Sequence, residues 1–378
     1  MHGRHRSLLT VPHLVAIDLP GGDQFVDALQ RIWDAGDAAC PLDRRLPPAA
    51  RTALLATIAP DRLIDVHGTH QLDGRGVEHG DALVVATSGT TGSPRGVVLT
   101  HEAVRASAMA TSARLGVLGD DTWLACLPLS HVGGLSVVTR ALVTGSPLVV
   151  HDGFDADAVC TAASRGATLV SLVSTALQRI DAGLFRQIVL GGSRPPDGLP
   201  GNVVTTYGMT ETGSGVVYDG VPLDGVEIRI DADGEIHIRC PMLLRCYRDG
   251  ADPRVDGWFP TGDLGEVDDH GGLAVFGRRG DMIITGGENV WPAVVEAALA
   301  AHPDVAEVAV AGMPDPEWGQ RVVAWIVPTD PDAPPSLASI RSMAAGFLPM
   351  YMTPKELRVV ATLPTTSSGK VRRPDLPT

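Results

Sequence analysis

The sequence predicts an α/β fold: a large N-terminal domain of layered mixed and parallel sheets with a small β-rich part, then a small mobile α+β C-terminal domain. Three observations lead there. Short apolar, β-rich runs alternate with helical periodicity from Asp81 to about Gly213, hairpin-type turns follow, and a separate helix-and-strand pattern closes the chain. With 378 residues and 44% hydrophobic content, there is enough apolar side chain for one large core and a smaller second one.

Residues 1–80 carry the weakest pattern: short helices at 22–30 and 48–58 and a short strand at 63–66. From Asp81 the signal sharpens. Runs at 82–86, 122–127, 147–150, 168–173, 187–190 and 202–206 read as strands. Between them, Ala103, Ala106, Ala110 and Ala113 recur at helical spacing behind Thr100, a candidate N-cap. Val132, Leu135, Val138 and Leu142 repeat the pattern after His131. Alternating strand and helix implies a mostly parallel, helix-covered sheet.

After Gly213 the pattern changes. Strands at 227–230 and 235–238 flank Asp231-Ala-Asp-Gly234, and residues 268–272 look like a second hairpin turn. Beyond Asp281, Pro292 suits the first turn of a helix to about Ala301. Strands at 305–311 and 322–327 follow. A helix bearing Leu337, Ile340, Ala344 and Phe347 on one face precedes a last strand at 357–360. The expected division is an N-terminal domain, 1–279, and a C-terminal lid, 280–378. The first comprises a reduced leading segment (1–80), an α/β core (81–212) and a β-rich part (213–279).

Composition narrows the function. A formal charge of −14 disfavours nonspecific nucleic-acid binding, so any anionic substrate needs local cations and backbone N–H groups. No apolar run is long enough to span a membrane, and the first residues do not form a secretory leader. Five scattered cysteines without a CxxC pair suit buried thiols in a reducing cytoplasm rather than a zinc site. The cations are nearly all arginine. Only Lys355 and Lys370 are lysine, which makes each of them conspicuous.

The strongest local signal is Thr87-Ser-Gly-Thr-Thr-Gly-Ser-Pro-Arg-Gly96, read as lying after a strand and just before a helix. Small and hydroxyl residues let the backbone approach phosphate oxygens, and Arg95 adds charge. The Walker pattern GxxxxGK[ST] is absent. A Ser/Thr/Gly turn alone is as often a plain loop. Four further segments occur in order: Tyr207-Gly-Met-Thr-Glu211, Thr261-Gly-Asp263, Phe276-Gly-Arg278 with Asp281 to Gly287, and Pro364-Thr-Thr-Ser-Ser-Gly-Lys370.

Together these five motifs, spread over 81–374, resemble the adenylate-forming superfamily of acyl-CoA synthetases, peptide-synthetase adenylation domains and luciferases. The resemblance implies ATP, Mg²⁺ and CoA as reactants or cofactors and two chemical steps: acyl-adenylate formation, then transfer to a thiol. It assigns Thr87, Ser88, Gly89, Thr90, Thr91, Gly92 and Arg95 to the phosphates, with Gly192 also in the nucleotide set. Tyr207 stacks on adenine, and Thr210 contacts a phosphate. Glu211 holds Mg²⁺, a hard cation that prefers oxygen. Asp263 accepts the ribose hydroxyls with help from Arg278, and Lys370 reaches the carboxylate and α-phosphate. Gly286 and Gly287 let pantetheine pass.

The sequence departs from the family pattern in three places. Arg95 stands where lysine is common, Gly280 where the hinge is often Asp or Lys, and only about 80 residues precede the phosphate loop. The short front end and the segments Pro128 to Leu135 and Thr210 to Gly225 resemble the compact o-succinylbenzoate–CoA ligases of menaquinone biosynthesis. That substrate carries two carboxylates. Arg140 would meet the one not activated, His131 would line the acyl pocket, and Gly208 and Ser214 would form its floor. Three other functions stay open at this point: an aryl or medium-chain acyl-CoA ligase, a module loading a carrier protein, and a non-catalytic nucleotide-binding scaffold. The expected partners are a small carboxylic acid and CoA, with a homodimer as one arrangement and no nucleic acid or membrane.

Overall fold

A computed structural model describes residues 11–87, 95–196, 198–365 and 371–377. Contacts divide the chain into two compact units. The first takes most residues up to Glu227 plus Arg239–Gly257; the second takes Ile228–Ile238 and the chain from Trp258 onward.

Two seven-stranded sheets build the first unit. One contains β1 (Leu14–Asp18), β2 (Ala38–Pro41), β3 (Arg62–Asp65), β4 (Gly68–Gln71), β5 (Asp81–Thr87) and β6 (Arg95–Thr100). A two-residue strand, Cys246–Tyr247, numbered β16 by its place in the chain, completes it beside β6. The order is β16-β6-β5-β2-β1-β3-β4. The leading residues are therefore half of a sheet, and β5 enters it parallel to β2. Leu14, Ala16, Ala38, Cys40, Val84 and Val98 fill the core of this sheet with Leu54 and Ile58. The last two lie on α2 (Pro48–Ile58), the second helix after α1 (Asp23–Asp34). Burial pushes the Cys40 thiol up to about 12, as it does Cys126, so both are inert apolar groups.

One expectation fails here. The phosphate loop does not run from a strand into a helix. Val97, Val98 and Leu99 form β6, antiparallel to β5, with Thr87 opposite Arg95. Helix α3 (His101–Arg114) begins only after it, with the Thr100 hydroxyl accepting from Ala103 N at 3.1 Å.

The second sheet has the order β13-β12-β11-β10-β9-β7-β8. Its members are β7 (Trp123–Ala125), β8 (Leu148–Val150), β9 (Leu169–Leu172), β10 (Gln187–Leu190), β11 (Val203–Gly208), β12 (Gly215–Tyr218) and β13 (Val221–Pro222). From β8 to β11 every pairing is parallel, as alternation predicted; β12 and β13 turn back antiparallel. Helix α4 (Val132–Thr144) packs on β7 and β9, while α5 (Ala156–Ser164) and α6 (Ser174–Leu177) lie in the β8–β9 and β9–β10 connections.

In the second unit, β14 (Glu227–Ile230), β15 (Glu235–Arg239), β17 (Phe259–Val267) and β18 (Leu273–Arg278) make a four-stranded sheet. This groups the 228–238 and 258–278 strands with the C-terminal residues, whereas the sequence pattern joined them to the preceding part. A last sheet combines β19 (Ile283–Thr285), β20 (Glu288–Val290), β21 (Val305–Asp315), β22 (Gly319–Pro328) and β23 (Glu356–Val359). Helices α7 (Pro292–Ala300) and α8 (Leu337–Ala344) cover it through Val295, Leu299 and Ile340. Phe347 lies beyond the end of α8 and is exposed, because the helix stops at Ala344 before completing the turn that would bring it inward. Among the described residues, no helix is long and apolar enough to cross a membrane.

Candidate active site

Of the phosphate loop, Ser88, Gly89, Thr90, Thr91 and Gly92 lie outside the described residues, as does Lys370. The hairpin that carries the loop is well defined: Thr87 closes β5 and Arg95 opens β6 directly opposite it. The Arg95 guanidinium carbon stands 4.4 Å from the ring centroid of Tyr247, in cation–π geometry. The Tyr247 hydroxyl donates to Glu211 Oε1 at 3.0 Å. Burial, then the neighbouring Glu211 charge, pushes this phenol up, while Arg95 pulls it partway back. Tyr247 therefore stays protonated and acts as a donor.

Glu211 is held by its turn. After β11 the chain makes one 3₁₀ turn, Thr210–Thr212, and leaves it through Gly213 at φ 68°. The buried Thr212 hydroxyl accepts from Met209 N at 3.0 Å and lies 2.7 Å from Ser214 O, to which it donates. Leu244 N donates to Glu211 O at 2.7 Å. Gly208 is required by packing, because a Cβ there would sit 2.2 Å from Ser214 O. Tyr207 precedes it on β11 and is half-buried. Gly192 follows β10 at φ 91°, a backbone that disfavours a side chain.

Arg140 is the most unusual group in the first unit. It lies on α4, is 2% exposed, and stacks over Trp123 with its guanidinium carbon 4.6 Å from the ring centroid. Nη2 makes a long 3.4 Å bond to Ser214 Oγ, while Nε and Nη1 have no partner. No carboxylate among the described residues pairs with it. Burial lowers its pKa, yet a guanidinium remains charged at neutral pH. A desolvated cation without a counter-ion costs several kcal/mol, on the order quoted for single buried ions, so such a group marks a place where an anion is expected.

His131 caps α4, and its Nε2 lies 3.7 Å from Asp43 Oδ2. Burial lowers its pKa more than Asp43 raises it, which favours the neutral ring. Asp43 also takes a two-pronged bond from Arg45. The leading segment thus supports a residue expected in the acyl pocket.

The second unit carries the other motifs. Asp263 on β17 and Arg278 at the end of β18 are opposite each other in register. Arg278 Nε lies 3.0 Å from Asp263 Oδ1, and Nη1 donates to Thr261 O at 2.7 Å. Thr261 Oγ1 in turn accepts from Asp263 N at 3.0 Å. Asp263 is buried, with a fixed orientation. Gly286 and Gly287 form the two-residue turn between β19 and β20, with φ 61° and 86°. That alone explains two glycines. A Cβ on Gly286 would also sit 2.7 Å from Trp318 Cε3.

Sequence reasoning missed Tyr247, Trp123 and Asp43. For the two aromatic residues the signal was rarity, since the chain has four tyrosines and six tryptophans; for Asp43, in a chain with 44 acidic residues, there was none. A further cluster, Asp231, Glu235 and His237, has metal-ligand character. Its charges are already met: Arg279 Nη2 lies 3.1 Å from Glu235 Oε2, and Asp231 3.2 Å from His237.

A phosphate-loop hairpin, a Thr-Glu turn, an Asp–Arg pair and a separate C-terminal sheet define an adenylate-forming enzyme. The AMP-binding enzyme family matches residues 77–248, and the AMP-binding enzyme C-terminal domain matches residues 294–370. This chain belongs to that family. Within it, the probable 2-succinylbenzoate–CoA ligase of Mycobacterium tuberculosis is 41% identical over 392 residues, covering 95% of this chain and 96% of that one. The 2-succinylbenzoate–CoA ligase of Bacillus anthracis is 36% identical over 78% of this chain and 69% of its own. The solved o-succinylbenzoate CoA synthetase of Bacillus subtilis, in complex with its acyl-adenylate intermediate, superposes with a TM-score of 0.87. Identity is 30%, over 97% of this chain and 88% of that one. The same synthetase with ATP and magnesium gives 0.86 at 29% identity, over 97% and 90%.

Proposed function

We infer that this chain activates o-succinylbenzoate with ATP, releasing pyrophosphate, and transfers the acyl group to CoA, releasing AMP, as a step of menaquinone biosynthesis. The observation that carries the choice of acid is Arg140, a buried guanidinium with two unpartnered N–H-bearing nitrogens. A diacid supplies the missing counter-ion with the carboxylate that is not activated. A monoacid leaves the charge uncompensated.

The steps follow from the residues. Carboxylate attack on the α-phosphorus brings anions together in a chain of net charge −14, so catalysis depends on local positive charge and alignment. The N–H groups and hydroxyls of Thr87, Ser88, Gly89, Thr90, Thr91 and Gly92 hold phosphate oxygens, and Arg95 adds charge. Asp263, oriented by Arg278, accepts the ribose hydroxyls; Tyr207 stacks on the base beside Gly192. Lys370 reaches the reacting carboxylate and α-phosphate.

A divalent ion fits the donor set at the Thr210–Thr212 turn. Glu211 offers hard carboxylate oxygens, one fixed by Tyr247, with the Thr210 hydroxyl adjacent in the chain. Mg²⁺ held by these oxygens would neutralise phosphate charge. His131, Gly208 and Ser214 line the acyl pocket. In the second step the CoA sulfur, as thiolate, attacks the mixed-anhydride carbonyl and AMP leaves, with pantetheine passing the Gly286–Gly287 turn.

The test is ATP- and CoA-dependent thioester formation, with o-succinylbenzoate run beside benzoate, cinnamate and octanoate. Preference for o-succinylbenzoate is expected. Preference for a monoacid would discard the diacid pocket but keep the ligase chemistry. Adenylate without CoA product from any acid would point to a carrier-loading module.

A further inference from the structure

We propose that Tyr247 is a positioning residue that sets both the metal-binding carboxylate and the phosphate-loop cation. The proposal rests on the reading of Glu211 and Arg95 given above. One side chain touches both groups: its hydroxyl donates to Glu211 Oε1 at 3.0 Å, and its ring face carries Arg95 at 4.4 Å. These residues come from the β11–β12 turn and the start of β6, and Tyr247 touches both.

Tyr247 is itself fixed. It is 8% exposed, sits on β16 opposite Val97 of β6, and its N–H donates to Ala251 O at 2.8 Å. The ring therefore moves with the hairpin that carries the phosphate loop. The chemistry divides between its two ends. A neutral O–H on one carboxylate oxygen fixes the rotation of Glu211 and directs the other oxygen to a cation, without adding the positive charge that would compete with a metal. The π face holds a guanidinium without neutralising it, so its charge stays available for phosphate oxygens. A carboxylate partner for Arg95 would neutralise it; an aromatic face does not. Arg95 in place of the usual lysine suits this arrangement, since a planar guanidinium stacks and a compact ammonium does so less well.

Two variants separate the ends. Tyr247→Phe removes the hydroxyl and keeps the ring; Tyr247→Leu removes both. The first readout is Mn²⁺ binding by electron paramagnetic resonance, with a non-hydrolysable ATP analogue present. The second is binding of that analogue without metal, by calorimetry. Tyr247→Phe is expected to weaken Mn²⁺ by about 10-fold or more, the scale for losing a group that orients a metal ligand. Metal-free analogue binding should be unchanged, and adenylation should recover at high Mg²⁺. Tyr247→Leu is expected to weaken the metal-free analogue as well, because Arg95 loses its platform. Unchanged Mn²⁺ affinity in Tyr247→Phe overturns the proposal. So does an activity loss that high Mg²⁺ does not restore, which would mark a general structural role. If wild-type protein binds neither the analogue nor Mn²⁺ with it, the proposed function fails instead, and the two failures are distinct.

Discussion

At the scale of single residues, Arg140 links stability to specificity. Its guanidinium is buried over Trp123, with Nε and Nη1 unpartnered. Replacing an uncompensated buried charge by an apolar group of similar volume is often stabilising, by about 1–4 kcal/mol. Arg140→Met is therefore expected to raise the melting temperature while losing o-succinylbenzoate turnover, a trade that thermal unfolding and kcat/KM measure together. A melting temperature lowered by several degrees would mean that the cation already has a stabilising partner. Lys370→Ala is expected to slow adenylation by about 10²-fold or more, the scale of one preorganised donor. Thioester formation from supplied acyl-adenylate should survive much better, and equal loss in both half-reactions would contradict the assigned role. Lys370 was conspicuous because the chain has only two lysines. Tyr247 was not, since its role depends on two partners distant in sequence.

Among the elements, turns were easier to read than short buried strands. Thr100 as N-cap, Pro292 in the first turn of α7 and the Asp231-Ala-Asp-Gly234 hairpin all use local chemistry, and all appear where the pattern put them. Strands β1 and β2 did not announce themselves. Leu14–Asp18 and Ala38–Pro41 are buried on both faces and show no alternation, and their partners lie far along the chain. Strand β6 was hidden because the eye follows the phosphate motif straight into α3. The β19–β20 turn gives a test at this level. Gly286→Ala and Gly287→Ala force alanine into positive φ, so each is expected to cost more than about 1 kcal/mol. Gly286→Ala should cost more, since its Cβ would also meet Trp318. Thermal unfolding of both variants checks the order; no loss in either would mean the turn relaxes freely.

For the molecule as a whole, five ordered motifs made the class legible before any coordinates. The grouping of strands did not follow from them, because sheet membership is decided by non-local pairing. The change of pattern after Gly213 set residues 228–238 and 258–278 apart from the core, and their strands do pair with one another; their grouping with the C-terminal residues was not visible in the sequence. The choice of acid was already implied by the segments Pro128 to Leu135 and Thr210 to Gly225; the burial of Arg140, which no motif reports, adds a physical reason for it. The most direct test compares o-succinylbenzoate with the monoacid that keeps its reacting carboxylate and lacks the other, in wild-type protein and in Arg140→Met. Wild-type kcat/KM should favour the diacid by about 10-fold to 100-fold, the range of one charge-assisted hydrogen-bonded pair, and the variant should treat the two acids nearly alike. An unchanged ratio in Arg140→Met would show that the second carboxylate is recognised elsewhere.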